Sequence, residues 1–106
     1  KGKKMSKKYN KLIRDKIPEI IITNNGQPVT HIASDDEYKI KLKAKLLEEA
    51  NEFIESEDIT EIADIYEVID AICKLYGFNK EEIAKIKQDK FNKRGGFDKK
   101  IILDES

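Results

Sequence analysis

The sequence predicts an all-α chain with at most a short strand, and three features carry that expectation. Apolar residues recur at three- and four-residue intervals over four stretches, the period of a helix with one buried face. Ser34-Asp35-Asp36-Glu37 and Asn79-Lys80-Glu81-Glu82 have the form of capping boxes, which open helices. Asn24-Asn25-Gly26, Gly77 and Gly95-Gly96 stand where helices need a stop that tolerates left-handed backbone.

Taken in order, residues 1–9 are basic and polar and are expected to be flexible, with Met5 as a natural start. Leu12, Ile13, Ile17, Ile20 and Ile21 then follow helical spacing. Pro18 suits the first turn of a helix that starts near Asp15 or Lys16 and ends at Asn24-Asn25-Gly26. Residues 27–33 read as an extended connector. A second helix begins at Asp35, carries Tyr38, Leu42, Leu46, Leu47, Ala50, Phe53 and Ile54 on one stripe, and ends near Ser56. Asp58 or Thr60 caps a third, which runs through Ile62, Ile65, Ile69, Ile72 and Tyr76 to Gly77. A fourth opens at Asn79 and reaches about Lys93, where Arg94-Gly95-Gly96 stops it, leaving residues 97–106 as an extended tail.

The 106 residues make one small domain, 1–106, without repeats. Apolar residues are 39% and charged residues 40%, so the core is modest and leaves apolar surface for a second subunit to cover. Twenty-one basic and twenty-one acidic residues cancel, which argues against a general polyanion binder. The charges are nonetheless segregated: residues 1–16 and 85–100 are basic, residues 48–70 acidic. Cys73 is the single cysteine, so no intramolecular disulfide can form, and it falls among Ile69, Ile72 and Tyr76 as a buried thiol. No apolar run reaches the ~20 residues of a membrane span, and the expectation is a cytoplasmic protein.

The chemistry concentrates in Glu48-Glu49-Ala50-Asn51-Glu52 and Glu61-Ile62-Ala63-Asp64, on consecutive helices. Two facing helices that each offer paired carboxylates can cage Mg²⁺ or Mn²⁺, hard ions that act on phosphates. At about 100° per residue, Glu49 borders the apolar stripe of its helix, Glu52 lies one step out and Glu48 further still. On the next helix Glu61 falls inside the apolar arc, where a carboxylate is costly unless paired or bound to a cation, and Asp64 lies at the arc's edge. Glu67 and Asp70 form a rival pair on the other flank. Acidic residues on lysine-rich helices are often plain solvated surface, but no lysine lies between Glu48 and Ile72. His31 stands alone in the connector, with a structural or solvent-facing role, and there is no Ser/His/Asp set, Cys/His pair or glycine-rich phosphate loop.

Glu-Glu-x-x-Glu followed by Glu-x-x-Asp resembles the motif of the MazG-like all-α nucleoside triphosphate pyrophosphohydrolase superfamily, which includes phosphoribosyl-ATP pyrophosphohydrolase and the dimeric dUTPases. The segments Tyr9-Asn10-Lys11-Leu12-Ile13-Arg14-Asp15-Lys16-Ile17-Pro18 and Lys93-Arg94-Gly95-Gly96-Phe97 are similar to its small MazG-like branch, so the likeness covers nearly the whole chain. The resemblance implies a MazG-like helical bundle completed by dimerisation, as a homodimer or homotetramer. It also implies Mg²⁺-dependent hydrolysis between the α- and β-phosphates of a nucleoside triphosphate, yielding monophosphate and pyrophosphate. Carried over by position, Glu49, Glu52, Glu61 and Asp64 would hold the metal, with Glu48 a further ligand or the base. The gap between Glu52 and Glu61 is shorter than the superfamily's usual one; Glu67 and Asp70 would give a more usual gap, whereas the residues around Asp64 favour Glu61/Asp64.

Arg14, Lys16, Lys90, Lys93 and Arg94 are the candidates to contact a polyphosphate. Arg14 and Arg94 stand out as the two arginines among twenty-one basic residues, and a guanidinium fork suits phosphate oxygens. Phosphoribosyl-ATP is an alternative substrate, and a non-catalytic helical dimer with a regulatory role is the alternative of another class. Neither membrane nor nucleic-acid binding is expected, since no aromatic–basic interleaving or recognition helix is present.

Overall fold

The computed structural model describes residues 7–106. Over these residues the secondary structure is four helices without a strand: α1 (Ile17–Thr23), α2 (Asp35–Ser56), α3 (Ile59–Tyr76) and α4 (Lys80–Arg94). Residues 1–6, and with them the expected start at Met5, lie outside the described part; residues 7–9 have no regular secondary structure. No helix among the described residues is long and apolar enough to cross a membrane. The chain divides into two compact units, one ending at Ala71 and one spanning Ile72–Ser106, so α3 begins in the first and ends in the second.

In the first unit, local chemistry sets the helix ends. Pro18 sits in the first turn of α1. At the other end the Gly26 N–H donates to the Ile21 carbonyl (2.8 Å) and the Asn25 N–H to that of Ile22 (2.9 Å), the paired bonds of a Schellman stop. Asn25, at φ 68°, takes the left-handed position. Gly26 is required for a different reason: a Cβ there would stand 2.6 Å from the Ile21 side chain. Ser34 caps α2 by accepting the Glu37 N–H at 3.2 Å. The Glu37 carboxylate turns to His31 Nε2 instead (3.0 Å), so half of the expected capping box forms and His31 gains a partner. Asp58 is the cap of α3, accepting from the Thr60 N–H (2.9 Å) and hydroxyl (3.0 Å).

The buried face of α2 differs from the stripe expected for it. Leu42 and Glu49 are buried and Tyr38, Leu46, Ala50 and Phe53 half-buried, but Leu47 is 64% and Ile54 70% exposed. The true buried face therefore centres about 70° away from the expected one, on the side of Glu49. The sequence carries two apolar faces on this helix: Ile40, Leu47 and Ile54, seven residues apart, form a second row that turns outward. A single average over both faces lands between them. On α3 Val68 is buried and Glu61, Ile62, Asp64 and Ile65 half-buried, the part of the expected arc around Glu61. Ile59, Tyr66 and Ile69 are exposed, Ile69 at 41% although the expected stripe includes it, so the other side of the arc turns outward.

In the second unit Cys73 is buried, as expected. Gly77 takes φ 71°, and the Phe78 N–H returns to the Cys73 carbonyl at 2.9 Å, closing α3. The Tyr76 and Phe78 rings stack with centroids 5.3 Å apart. Asn79 caps α4 through the Glu82 N–H (2.9 Å), and Gly95 at φ 80° ends it. α4 has no buried residue. The segment after it is less extended than expected, with a turn in which the Lys100 N–H donates to the Phe97 carbonyl (3.1 Å) and Lys100 takes φ 58°.

Candidate metal centre

The cluster is built by two helices of the first unit. Helical geometry places residues three and four apart on one face, so Glu48, Glu49 and Glu52 project from neighbouring points of α2, and Glu61 and Asp64 from one side of α3. Their oxygens converge in two groups. One oxygen each of Glu48, Glu49 and Glu52 lie within 4.8 Å of one another, and the same holds for Glu49, Glu61 and Asp64. Glu49 belongs to both groups and is 7% exposed, the one buried charged residue of the described chain. The rival residues Glu67 and Asp70 are exposed and join neither group.

Three cations of the same unit touch this cluster. Lys45, one turn before Glu49, lies 3.4 Å from Glu49 and 3.4 Å from Glu48. Lys11 donates to Glu48 at 2.7 Å and Arg14 to Asp64 at 2.8 Å, both from the segment before α1. Lys11 and Lys45 belong with the site although neither was singled out in the sequence. Lys45 at i−4 from Glu49 was the available signal; Lys11 had none beyond its place beside Arg14.

These charges shift the local pKa values in opposite directions. Partial burial raises the Glu48 pKa, but the hydrogen bond from Lys11 and the charges of Lys45 and Lys11 outweigh it, and the net displacement is downward. Lys11 is raised, chiefly by its hydrogen bond to Glu48. Glu61 is raised by desolvation and by the neighbouring charges of Glu52, Asp64, Glu49 and Asp58. Among the described residues no hydrogen bond or ion pair reaches the Glu61 or Glu52 carboxylate. A carboxylate such as Glu61, whose ionised form is disfavoured by desolvation and neighbouring carboxylates, is one that a divalent cation relieves. An all-oxygen donor set of this kind suits a hard divalent cation better than a thiolate- or imidazole-preferring metal.

Of the other phosphate candidates, Lys16 is exposed at the N-terminal boundary of α1, while Lys90, Lys93 and Arg94 are exposed on α4 in the second unit. No family model matches the chain, and no solved structure matches it. A 41-residue stretch is 51% identical to an uncharacterised protein of Mycolicibacterium smegmatis (strain ATCC 700084 / mc(2)155), covering 39% of this chain and 42% of that protein. The match thus spans less than half of either protein and brings no activity with it.

Proposed function

We propose that this chain is a Mg²⁺-dependent nucleotide pyrophosphohydrolase of the MazG-like kind, cleaving the α–β phosphoanhydride of a nucleoside triphosphate to monophosphate and pyrophosphate. The observation that carries the reading is the buried Glu49 carboxylate at the apex shared by two carboxylate groups. A buried charge with one lysine contact is an expensive feature for a small fold, and cation binding gives it a purpose. Glu49, Glu52, Glu61 and Asp64 would hold the metal, which when bound supplies charge neutralisation on the phosphate oxygens and a more acidic water.

The chain's own groups divide the remaining work. Glu48 is a further ligand or the base: it stays ionised at neutral pH and can accept a proton from the attacking water, although Lys11 and Lys45 reduce its basicity. In the reaction the water oxygen bonds to phosphorus, the bridging P–O bond breaks, pyrophosphate leaves and the proton passes to the carboxylate. Arg14, paired with Asp64, would supply a guanidinium to a phosphate bound at the same centre.

The proposal extends to a homodimer. Ile40, Leu47 and Ile54 on α2, with Ile59 and Tyr66 on α3, leave apolar rows exposed that a second copy would cover. Sedimentation of wild type and Leu47→Glu tests this: the wild type is expected as a dimer or larger and the variant as a monomer. The activity itself is tested by pyrophosphate release from a panel of nucleoside triphosphates and phosphoribosyl-ATP, with and without Mg²⁺. No release from any of them would sink the enzymatic reading and leave the non-catalytic dimer.

A further inference from the structure

The segment at residues 9–14 makes a set of contacts that its sequence alone does not explain. The Asn10 carbonyl accepts from Lys41 Nζ on α2 at 2.8 Å, which ties the segment to that helix. Asn10 itself has φ 46°, a left-handed position. Lys11 Nζ stands over the Tyr9 ring at 5.6 Å while it donates to Glu48, and three residues later Arg14 donates to Asp64. Glu48 belongs to one carboxylate group and Asp64 to the other. One short segment therefore places a cation on each group.

Both contacts lie on the solvent side. The side chains are 40% and 29% exposed for Lys11 and Glu48, and 56% and 38% for Arg14 and Asp64. Such pairs are weak, each worth about a two- to fivefold change in an equilibrium. They are also incompatible with full use of the carboxylates: an Asp64 oxygen held by a guanidinium is not free for a divalent ion. The charge balance points the same way. With Lys11, Arg14 and Lys45 in contact, three positive charges offset five carboxylates and leave two negative charges, enough for one divalent cation. With Lys11 and Arg14 withdrawn, four negative charges remain.

We propose that residues 10–14 form a cationic strap that competes with divalent metal for Glu48 and Asp64, and whose Lys11 and Arg14, once displaced, bind the polyphosphate of the substrate. This deepens the hydrolase reading and rests on it. A side chain released from a carboxylate beside the metal has an anionic phosphate as its nearest new partner, so metal entry and polyphosphate binding are coupled through the same two cations. Lys11 thereby becomes a substrate-positioning residue beside Arg14.

The test measures two equilibria on the full chain for wild type, Lys11→Met, Arg14→Gln and the double variant. Mn²⁺ binding is followed alone, and inorganic triphosphate binding is followed in the presence of saturating Mn²⁺. Mn²⁺ should bind each single variant about two- to fivefold more tightly than wild type, because a competitor has been removed. Triphosphate should bind about tenfold or more weakly, because a charge-assisted contact has been lost. A structural role for the strap would move both affinities the same way, so the opposite signs are diagnostic. Mn²⁺ affinity that stays equal or falls in folded variants, or triphosphate affinity that is retained, overturns the strap. Wild type that binds no Mn²⁺ overturns the hydrolase reading and the strap together, whereas normal Mn²⁺ binding with no effect of the variants overturns the strap alone. Lys11→Met keeps the aliphatic stem over Tyr9, and its circular dichroism with that of Arg14→Gln confirms the fold.

Discussion

Helix α3 carries the same short pattern twice, Glu61-Ile62-Ala63-Asp64 and Glu67-Val68-Ile69-Asp70, and treats the two copies differently. The carboxylates of the first copy meet Glu49 of α2 within 4.8 Å; those of the second are exposed and belong to neither carboxylate group. Six residues separate the copies, which is about 240° of rotation at the helical pitch. One pair therefore turns toward the buried side with Val68 and Ile65, and the other toward the side of the exposed Ile59. A carboxylate pair becomes a site by its position around the helix, and the pattern of letters alone is indifferent to that.

The most direct way to break this contrast is by activity. Glu49→Gln and Glu61→Gln are each expected to lower pyrophosphate release with Mg²⁺ by about a thousandfold, since each removes a ligand charge from the centre. Glu67→Gln and Asp70→Asn should stay within about twofold of wild type. Equal losses at both copies would show that α3 presents a different face in the working protein. Metal-linked stability is a second, independent readout. At a Mg²⁺ concentration about a hundred times its Kd, linkage adds about 2.7 kcal/mol, a rise in Tm on the order of 10 °C for a chain of this size. Asp64→Asn should lose most of that rise and Asp70→Asn should keep it.

Much of this was legible in the sequence, for reasons specific to each element. Caps are local: Ser34, Asp58 and Asn79 each bind an N–H two or three residues on, so the starts of α2, α3 and α4 follow from a few letters. The inward placement of Glu61 was also legible, because α3 has a broad apolar arc that fixes its orientation. α2 was harder. Its outward row of Ile40, Leu47 and Ile54 pulled the expected stripe away from Glu49, which turned out buried and not merely at a border. The Lys11–Glu48 and Arg14–Asp64 contacts span 37 and 50 residues, and nothing in local spacing specifies pairings at that range.

Lys45 offers a smaller effect on the first copy's partner. It is the cation in contact with buried Glu49, at 3.4 Å, and its own side chain is 16% exposed. Lys45→Met should destabilise the metal-free protein by about 1–3 kcal/mol, the cost of leaving a buried charged group poorly compensated. Mg²⁺ should restore most of the loss, since a divalent ion replaces the missing charge. Thermal melts with and without Mg²⁺ measure both. A loss that Mg²⁺ leaves untouched would mean that Lys45 acts through packing of its stem alone.

The smallest expected effect is the most telling about the first copy. Desolvation and the charges of Glu52, Asp64, Glu49 and Asp58 raise the Glu61 pKa in the fold above its unfolded value. Between the two values the folded chain binds more protons than the unfolded one, so this group's contribution to stability is present at low pH and lost as pH rises through the folded pKa. Glu48 runs the other way, because its lowered pKa gives a contribution that is present above the unfolded value and lost as pH falls through the folded one. Subtracting wild-type from Glu61→Gln stability as a function of pH cancels the Glu48 contribution and leaves that of Glu61. Without metal the difference should grow as pH rises from the acid side toward neutrality, with the variant the more stable protein there. With saturating Mg²⁺ the order should reverse, because wild type gains a ligand charge that the variant lacks. A residue whose removal stabilises the metal-free fold and abolishes the metal's benefit is held in place by function, and a variant that is less stable in both conditions would assign Glu61 to the fold instead.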